Sequence, residues 1–151
     1  RLQVYFHVDD ELLDNCIIKI LVQPLVENAI YHGIDQKREG GKISIVCHKS
    51  LKRVEIAVED NGMGMKPEVL RSLQKQLHEC QGEHLGESIG LKNVHSRLKL
   101  YYGRERGLHI KSVYGQGTRV SFDIPSVMYS EENRRKEMQT GSIFAERWED
   151  V

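Results

Sequence analysis

Two adjacent polar residues, Glu27 and Asn28, interrupt an apolar run in which Leu25, Val26, Ala29 and Ile30 surround them. Buried polar side chains need partners, so a helix meant only for packing has no use for this pair. On a helix Asn28 and His32 share a face, as do Glu27 and Tyr31, which sets a polar stripe beside the apolar one. A neutral carboxamide can place its oxygen on a cation such as Mg2+, while the neighbouring carboxylate can take a proton from an attacking nucleophile. The same pattern also suits an amphipathic helix whose edge meets solvent.

A second group, Asp60-Asn61-Gly62-Met63-Gly64-Met65, follows a strand in which Val54, Ile56 and Val58 alternate with polar residues. By the two-residue period Asp60 shares their inward face, where a carboxylate requires a partner. It can accept the exocyclic amine of a purine, with Gly62 and Gly64 letting backbone approach the ring; an ordinary turn after a strand would also use Asp-Asn-Gly. The third group is Gly86-Glu87-Ser88-Ile89-Gly90-Leu91-Lys92-Asn93, a small-residue loop feeding a helix. Unpaired amides at a helix start attract phosphate, and Lys92 adds a point charge, although a plain connection has the same composition. Fourth, Thr118 shares the parity of Val120, Phe122 and Ile124 beside Gly115 and Gly117, so its hydroxyl faces inward and suits a purine-side hydrogen bond. Threonine is also common in strands for its shape alone.

Periodicity supplies the elements that must hold these groups. Strands are expected over Leu2–Val8, Lys42–His48, Arg53–Glu59, Leu108–Val113 and Thr118–Ile124, with a brief helical turn from Asp9. Helices are expected over Ile17–His32, where Pro24 starts or kinks the helix and Gly33 stops it, from Pro67 with Val69, Leu70, Leu73 and Leu77 on one side, and through Leu91, Val94, Leu98 and Tyr101. His78 to Ser88 has no period and reads as a lid. The order predicts an α+β fold, a two-layer α/β sandwich with a mixed sheet and helices on one face. Residues 1–125 form the expected domain, and residues 126–151 a charged C-terminal tail, helical or disordered.

The 151 residues, 39% hydrophobic and 29% charged, suit one compact domain. Lys+Arg and Asp+Glu both total 22, so no net charge draws the whole molecule to nucleic acid or an anionic membrane. Polar residues interrupt the longest apolar stretch, Ile17–Ile30, which is too short to span a bilayer. Cys16, Cys47 and Cys80 are unpatterned and read as reduced thiols of a cytoplasmic piece, excised from something longer because the chain opens at Arg1. His78, Cys80 and His84 offer zinc-binding side chains without an evident fourth ligand, while His7 and His95 read as surface or packing residues. Arg134-Arg135-Lys136 is balanced by neighbouring Glu residues and reads as a solvated helix face rather than a nucleic-acid patch.

Taken together, the four groups resemble the ATP-binding catalytic domain of bacterial sensor histidine kinases of the sugar- and peptide-sensing subclass, whose Leu-Val-Gln-Pro-Leu-Val-Glu-Asn-Ala-Ile-x-His-Gly box stands here at Leu21–Gly33. The resemblance runs from Leu2 to about Pro125 and implies the Bergerat ATP-binding fold. By position it implies Asn28 as the Mg2+ ligand, Glu27 as the base, and Asp60 as the adenine reader. It also implies Gly62 and Gly64 as the first glycine box with Met63 and Met65 beside them, Gly86 and Gly90 as the second with Ser88, Ile89, Leu91 and Lys92, and Gly115, Gly117 and Thr118 as the last. Tyr31 stands where relatives often have Lys, so Lys92 or His32 would supply that phosphate contact; Ser88 replaces a glycine of the lid. The implied activity is donation of the ATP γ-phosphoryl group, with Mg2+, to a histidine in an upstream dimerisation domain absent from this chain, and thence to a response regulator. The whole protein would be a membrane-anchored bacterial homodimer with this domain in the cytoplasm. Alternatives are an ATP-sensing module that transfers nothing, for which Tyr31 and Ser88 speak, and an ATP-hydrolysing relative in which Glu27 activates water.

Overall fold

The computed structural model describes residues 2–12, 21–34, 40–79 and 89–126, together with Glu132 and Arg135. Alternating apolar residues build two hairpins at its centre. Strands β2 (Lys42–Ser50) and β3 (Arg53–Asp60) turn at Leu51-Lys52, and β4 (His109–Val113) and β5 (Gly117–Pro125) turn through 114–116. Pairing of β3 with β5 is antiparallel, and β1 (Gln3–Val8) adds to β2 in parallel, giving the order β1-β2-β3-β5-β4. A parallel pair needs a long crossover, and the segment between β1 and β2 carries a 3-10 turn at Asp10–Leu12 and helix α1 (Gln23–Asn28).

One face of the sheet is apolar. Val54, Ile56 and Val58 of β3 and Val120, Phe122 and Ile124 of β5 are all buried there, each at no more than 5% exposure. The helices α2 (Pro67–Glu79) and α3 (Ile89–Tyr102) contribute Leu73, Leu77, Leu91, Val94, Leu98 and Tyr102 to the same core. Burying each large side chain contributes about 1.5–3 kcal/mol. On the opposite face Arg119 pairs with both Glu55 and Glu59, and Asp123 with Arg53 and Arg106. Ala57 is buried on that face too, flanked in register by Val46 and Ser121. The result is the expected two-layer α+β sandwich, in which the mixed sheet carries helices on one side. No helix among the described residues is long and apolar enough to cross a membrane.

Several expected details differ. The described helix begins at Gln23, with Pro24 in its first turn, where the missing amide proton costs least; residues 13–20 lie outside the described residues. Gly33 does not stop it. After Asn28 the chain continues as a π-helical turn, Ala29–Ile34, with Ala29 and Gly33 buried. That wider winding breaks the four-residue spacing assumed for Asn28 and His32. In α2, Leu70, Leu73 and Leu77 make the inward stripe, and Val69, one residue or about 100° from Leu70, is 52% exposed. In α3, Tyr102 rather than Tyr101 fills the last inward position. Of the expected lid from His78 to Ser88, His78 and Glu79 instead form the last turn of α2, while residues 80–88 and the tail beyond Ser126, apart from Glu132 and Arg135, lie outside the described residues.

His95 is a packing residue and His7 a surface one. The Leu108 amide donates to His95 Nδ1 at 3.0 Å, while Nε2 is buried with no hydrogen-bond partner among the described residues. An acceptor at Nδ1 places the one proton of the neutral ring on Nε2. Burial above all, with the positive charges of Lys99, His78 and His109 adding to it, lowers its pKa from 6.5 to about 4. The neutral ring is therefore native. Below the ordinary His pKa the unfolded chain binds a proton that the folded chain refuses, so this residue destabilises the fold as pH falls from about 6.5 toward 4. A loss of ~2 kcal/mol between pH 6.5 and pH 5 is expected from urea unfolding, and His95→Gln, which keeps an acceptor for Leu108, should flatten that dependence.

Candidate functional site

The end of β3 and the start of β5 form one rung of the sheet. Asp60 pairs in register with Thr118, Thr118 with Ser112 of β4, and Asp60 with Ile43 of β2. Asp60, Thr118 and Ser112 thus share the helix-side face, as strand parity requires. Asp60 is half-buried, and its Oδ1 accepts the Gly62 amide at 2.8 Å. Thr118 is 8% exposed, and its Oγ1 lies 2.8 Å from Ser112 Oγ. The Met65 amide donates to Ser112 Oγ at 2.8 Å, and Ser112 Oγ lies 3.1 Å from the Gly117 carbonyl. Ser112 was missed in the sequence. Its signal was available, because a polar residue stands there at the inward parity of Ile110.

The loop after Asp60 is tied on three sides. Asn61 extends the ladder to β2, its amide donating to the Lys42 carbonyl at 3.1 Å and its Oδ1 accepting the Lys42 amide at 2.7 Å. The Met63 amide donates to the Gly33 carbonyl at 3.1 Å, and the Met63 carbonyl accepts the Gly115 amide at 2.6 Å. A Cβ on Gly62 would overlap the Gly33 carbonyl, and one on Gly64 would overlap that of Val113. The space a side chain would fill at these two glycines is taken by protein backbone. Gly33 in turn lies against the Asp60 carboxylate.

These contacts bring the end of the Glu27-Asn28 helix to Asp60. The π-helical turn packs on β3 and β5, and α1 packs on α3, where a Cβ on Gly90 would sit 3.7 Å from the Pro24 side chain. Asn28 is half-buried at the last α-helical residue; Glu27 is exposed and accepts the Gln23 Nε2 amide at 2.9 Å. Tyr31, 64% exposed, and His32 both face solvent on the π-helical turn. Ile89 opens α3 rather than ending a loop, Gly90 follows exposed, Leu91 is in the core at 2% exposure, and Lys92 is half-buried. Gly86 and Ser88 lie outside the described residues, as do Cys80 and His84 of the zinc reading. Among the described residues no three His, Cys, Asp or Glu side chains cluster to hold a metal.

The donor set suits a purine with an amino group and one oxygen-bound cation. Asp60 and Thr118 present oxygens on one rung, and Asn28 offers a neutral oxygen of the kind Mg2+ accepts beside phosphates and water. A cavity of about 840 Å3 lined by Leu51, Arg53, Glu55, His109 and Asp123 lies away from this rung, toward the β2–β3 turn and the opposite face.

Residues 13–128 match the family model of histidine kinase-, DNA gyrase B- and HSP90-like ATPases. The chain is 41% identical over 126 residues to the sensor histidine kinase YpdA of Escherichia coli strain K12, covering 83% of this chain and 20% of that protein. It thus spans a fifth of that relative's length. Its fold resembles the nucleotide-free catalytic domain of histidine kinase ThkA, with TM-score 0.59, 17% identity, and coverage of 83% of this chain and 81% of that one. ThkA in complex with the response regulator protein TrrA gives TM-score 0.57 at 20% identity, covering 83% and 34%. The chain therefore belongs to the histidine kinase-, DNA gyrase B- and HSP90-like ATPase family.

Proposed function

We propose that residues 1–125 bind ATP with Mg2+ and donate the γ-phosphoryl group to a histidine of an upstream dimerisation domain in the same protein, which passes it to a response regulator. In this reading the whole protein is a membrane-anchored homodimer and this domain its cytoplasmic part. The observation that carries the reading is the seam between Gly33 and Met63, which joins the helix of Glu27 and Asn28 to the turn of Asp60 although they are far apart in the chain. Family membership and the named activity of YpdA support it.

Phosphoryl transfer asks the protein mainly to position groups and neutralise charge. Asp60 accepts the purine amine, and Thr118 hydrogen-bonds beside it. Asn28 holds the cation, whose chemistry when bound is to offset charge on the phosphates. The Gly86–Gly90 segment and Lys92 meet the phosphates at the start of α3, where unpaired amides favour anions. Glu27 orients or deprotonates the acceptor imidazole as its other nitrogen bonds to phosphorus and ADP leaves.

Asp60→Asn should weaken ATP binding by about 1–3 kcal/mol, the usual cost of spoiling a charged hydrogen bond, and unchanged affinity in a titration calorimeter would refute the assignment. Asn28→Ala should remove the Mg2+ dependence of ATP binding, so a variant that keeps the wild-type difference with and without the cation contradicts its role. Phosphorylation of a separately supplied histidine-bearing domain tests the transfer step itself.

A further inference from the structure

We infer that Ser112 is a positioning residue that turns Thr118 into a hydrogen-bond acceptor toward the nucleotide, so that the Asp60–Thr118 rung selects a 6-aminopurine over a 6-oxopurine. The inference rests on the proposed ATP-binding reading and adds to it a residue and a direction of hydrogen bonding.

The argument is a proton count. A serine hydroxyl has one proton to give and two lone pairs. Among the described residues Ser112 Oγ has three hydrogen-bonding partners: the Met65 amide at 2.8 Å, which can only donate, the Gly117 carbonyl at 3.1 Å, which can only accept, and Thr118 Oγ1 at 2.8 Å. The carbonyl takes the one proton, since two oxygens at that distance without a proton between them repel. One lone pair then receives the Met65 amide, and the other is filled only if Thr118 donates. This arrangement satisfies every group around Ser112. Thr118, 8% exposed, has then spent its proton on the β4 side and turns lone pairs toward its register partner Asp60.

Asp60 is an acceptor as well, with one lone pair of Oδ1 held by the Gly62 amide. Two acceptors on one rung match a group that carries two N–H bonds, as the exocyclic amine of adenine does. A carbonyl at that position would meet two oxygens and no proton, and unpaired buried polar groups are where discrimination between such isosteres is largest. Were Thr118 free to rotate, it would donate to the carbonyl and the discrimination would shrink.

Calorimetric titration with ATP and with inosine triphosphate, which has the 6-oxo group, tests this. The wild-type chain should prefer ATP, and Ser112→Ala should narrow the ATP-to-inosine ratio by about tenfold, the equivalent of ~1.4 kcal/mol. Ser112→Cys, which fills the same space with a weak donor and acceptor, should narrow it similarly and serves if the alanine variant does not fold. In a Thr118→Val background neither change should move the ratio further. Equal loss of both nucleotides in the Ser112 variants, an unchanged ratio, or narrowing that persists without the Thr118 hydroxyl would each overturn the inference while leaving ATP binding intact. A wild-type chain that binds neither nucleotide would overturn the underlying reading together with it.

Discussion

A backbone hydrogen bond between Met63 and the Gly33 carbonyl joins the two halves of the candidate site, and the rest of the arrangement depends on how closely those two chain segments approach. Gly33 ends up against the Asp60 carboxylate and Gly62 against the Gly33 carbonyl, so neither position has room for a Cβ. The π-helical turn serves this approach. By winding more widely after Asn28 it carries the chain through Gly33 before it leaves the sheet, with Ala29 and Gly33 facing inward. Wide turns of this kind occur often at functional sites, and here the turn sets where Asn28 stands relative to the sheet.

The sheet supplies the fixed side of the site. Its central strands β3 and β5 are held by full ladders and by an apolar face buried under the helices, so the terminal rung of Asp60 and Thr118 inherits their rigidity. The outer face adds ion pairs around Arg119 and Asp123, but such partly exposed pairs contribute little each, typically up to about 1 kcal/mol. Burial on the helix side dominates. Strand β1 contributes least, since each of its residues is exposed and it lies at the sheet's edge.

Strand parity made Asp60 and Thr118 legible, because a period of two leaves no choice about which face a residue shares once Val58 and Val120 are inside. The same rule applied to β4 would have found Ser112. Helical parity was less reliable. Val69 sits at the margin of its stripe, Tyr101 and Tyr102 are adjacent aromatics of which only packing chooses one, and His95 faces the core although its type is neutral on the question. The pattern of the 60–65 segment marks Gly62 and Gly64 as places of close backbone approach, but not that their Cβ directions are filled by the distant Gly33 and Val113 carbonyls, which no local pattern names.

Local sequence alone therefore determined the strands, the start of α2 at Pro67, the inward direction of Asp60 and Thr118, and, through the joint motif set, the family. Proline chemistry and two-residue alternation are properties of the chain at short range, so they survive without coordinates. Tertiary structure decided the parallel addition of β1, the passage of the helix through Gly33, the neutral buried state of His95 and the hydroxyl network around Ser112. Each of these depends on which remote backbone groups lie within hydrogen-bonding distance or exclude water, a matter of three-dimensional packing that residue spacing does not encode.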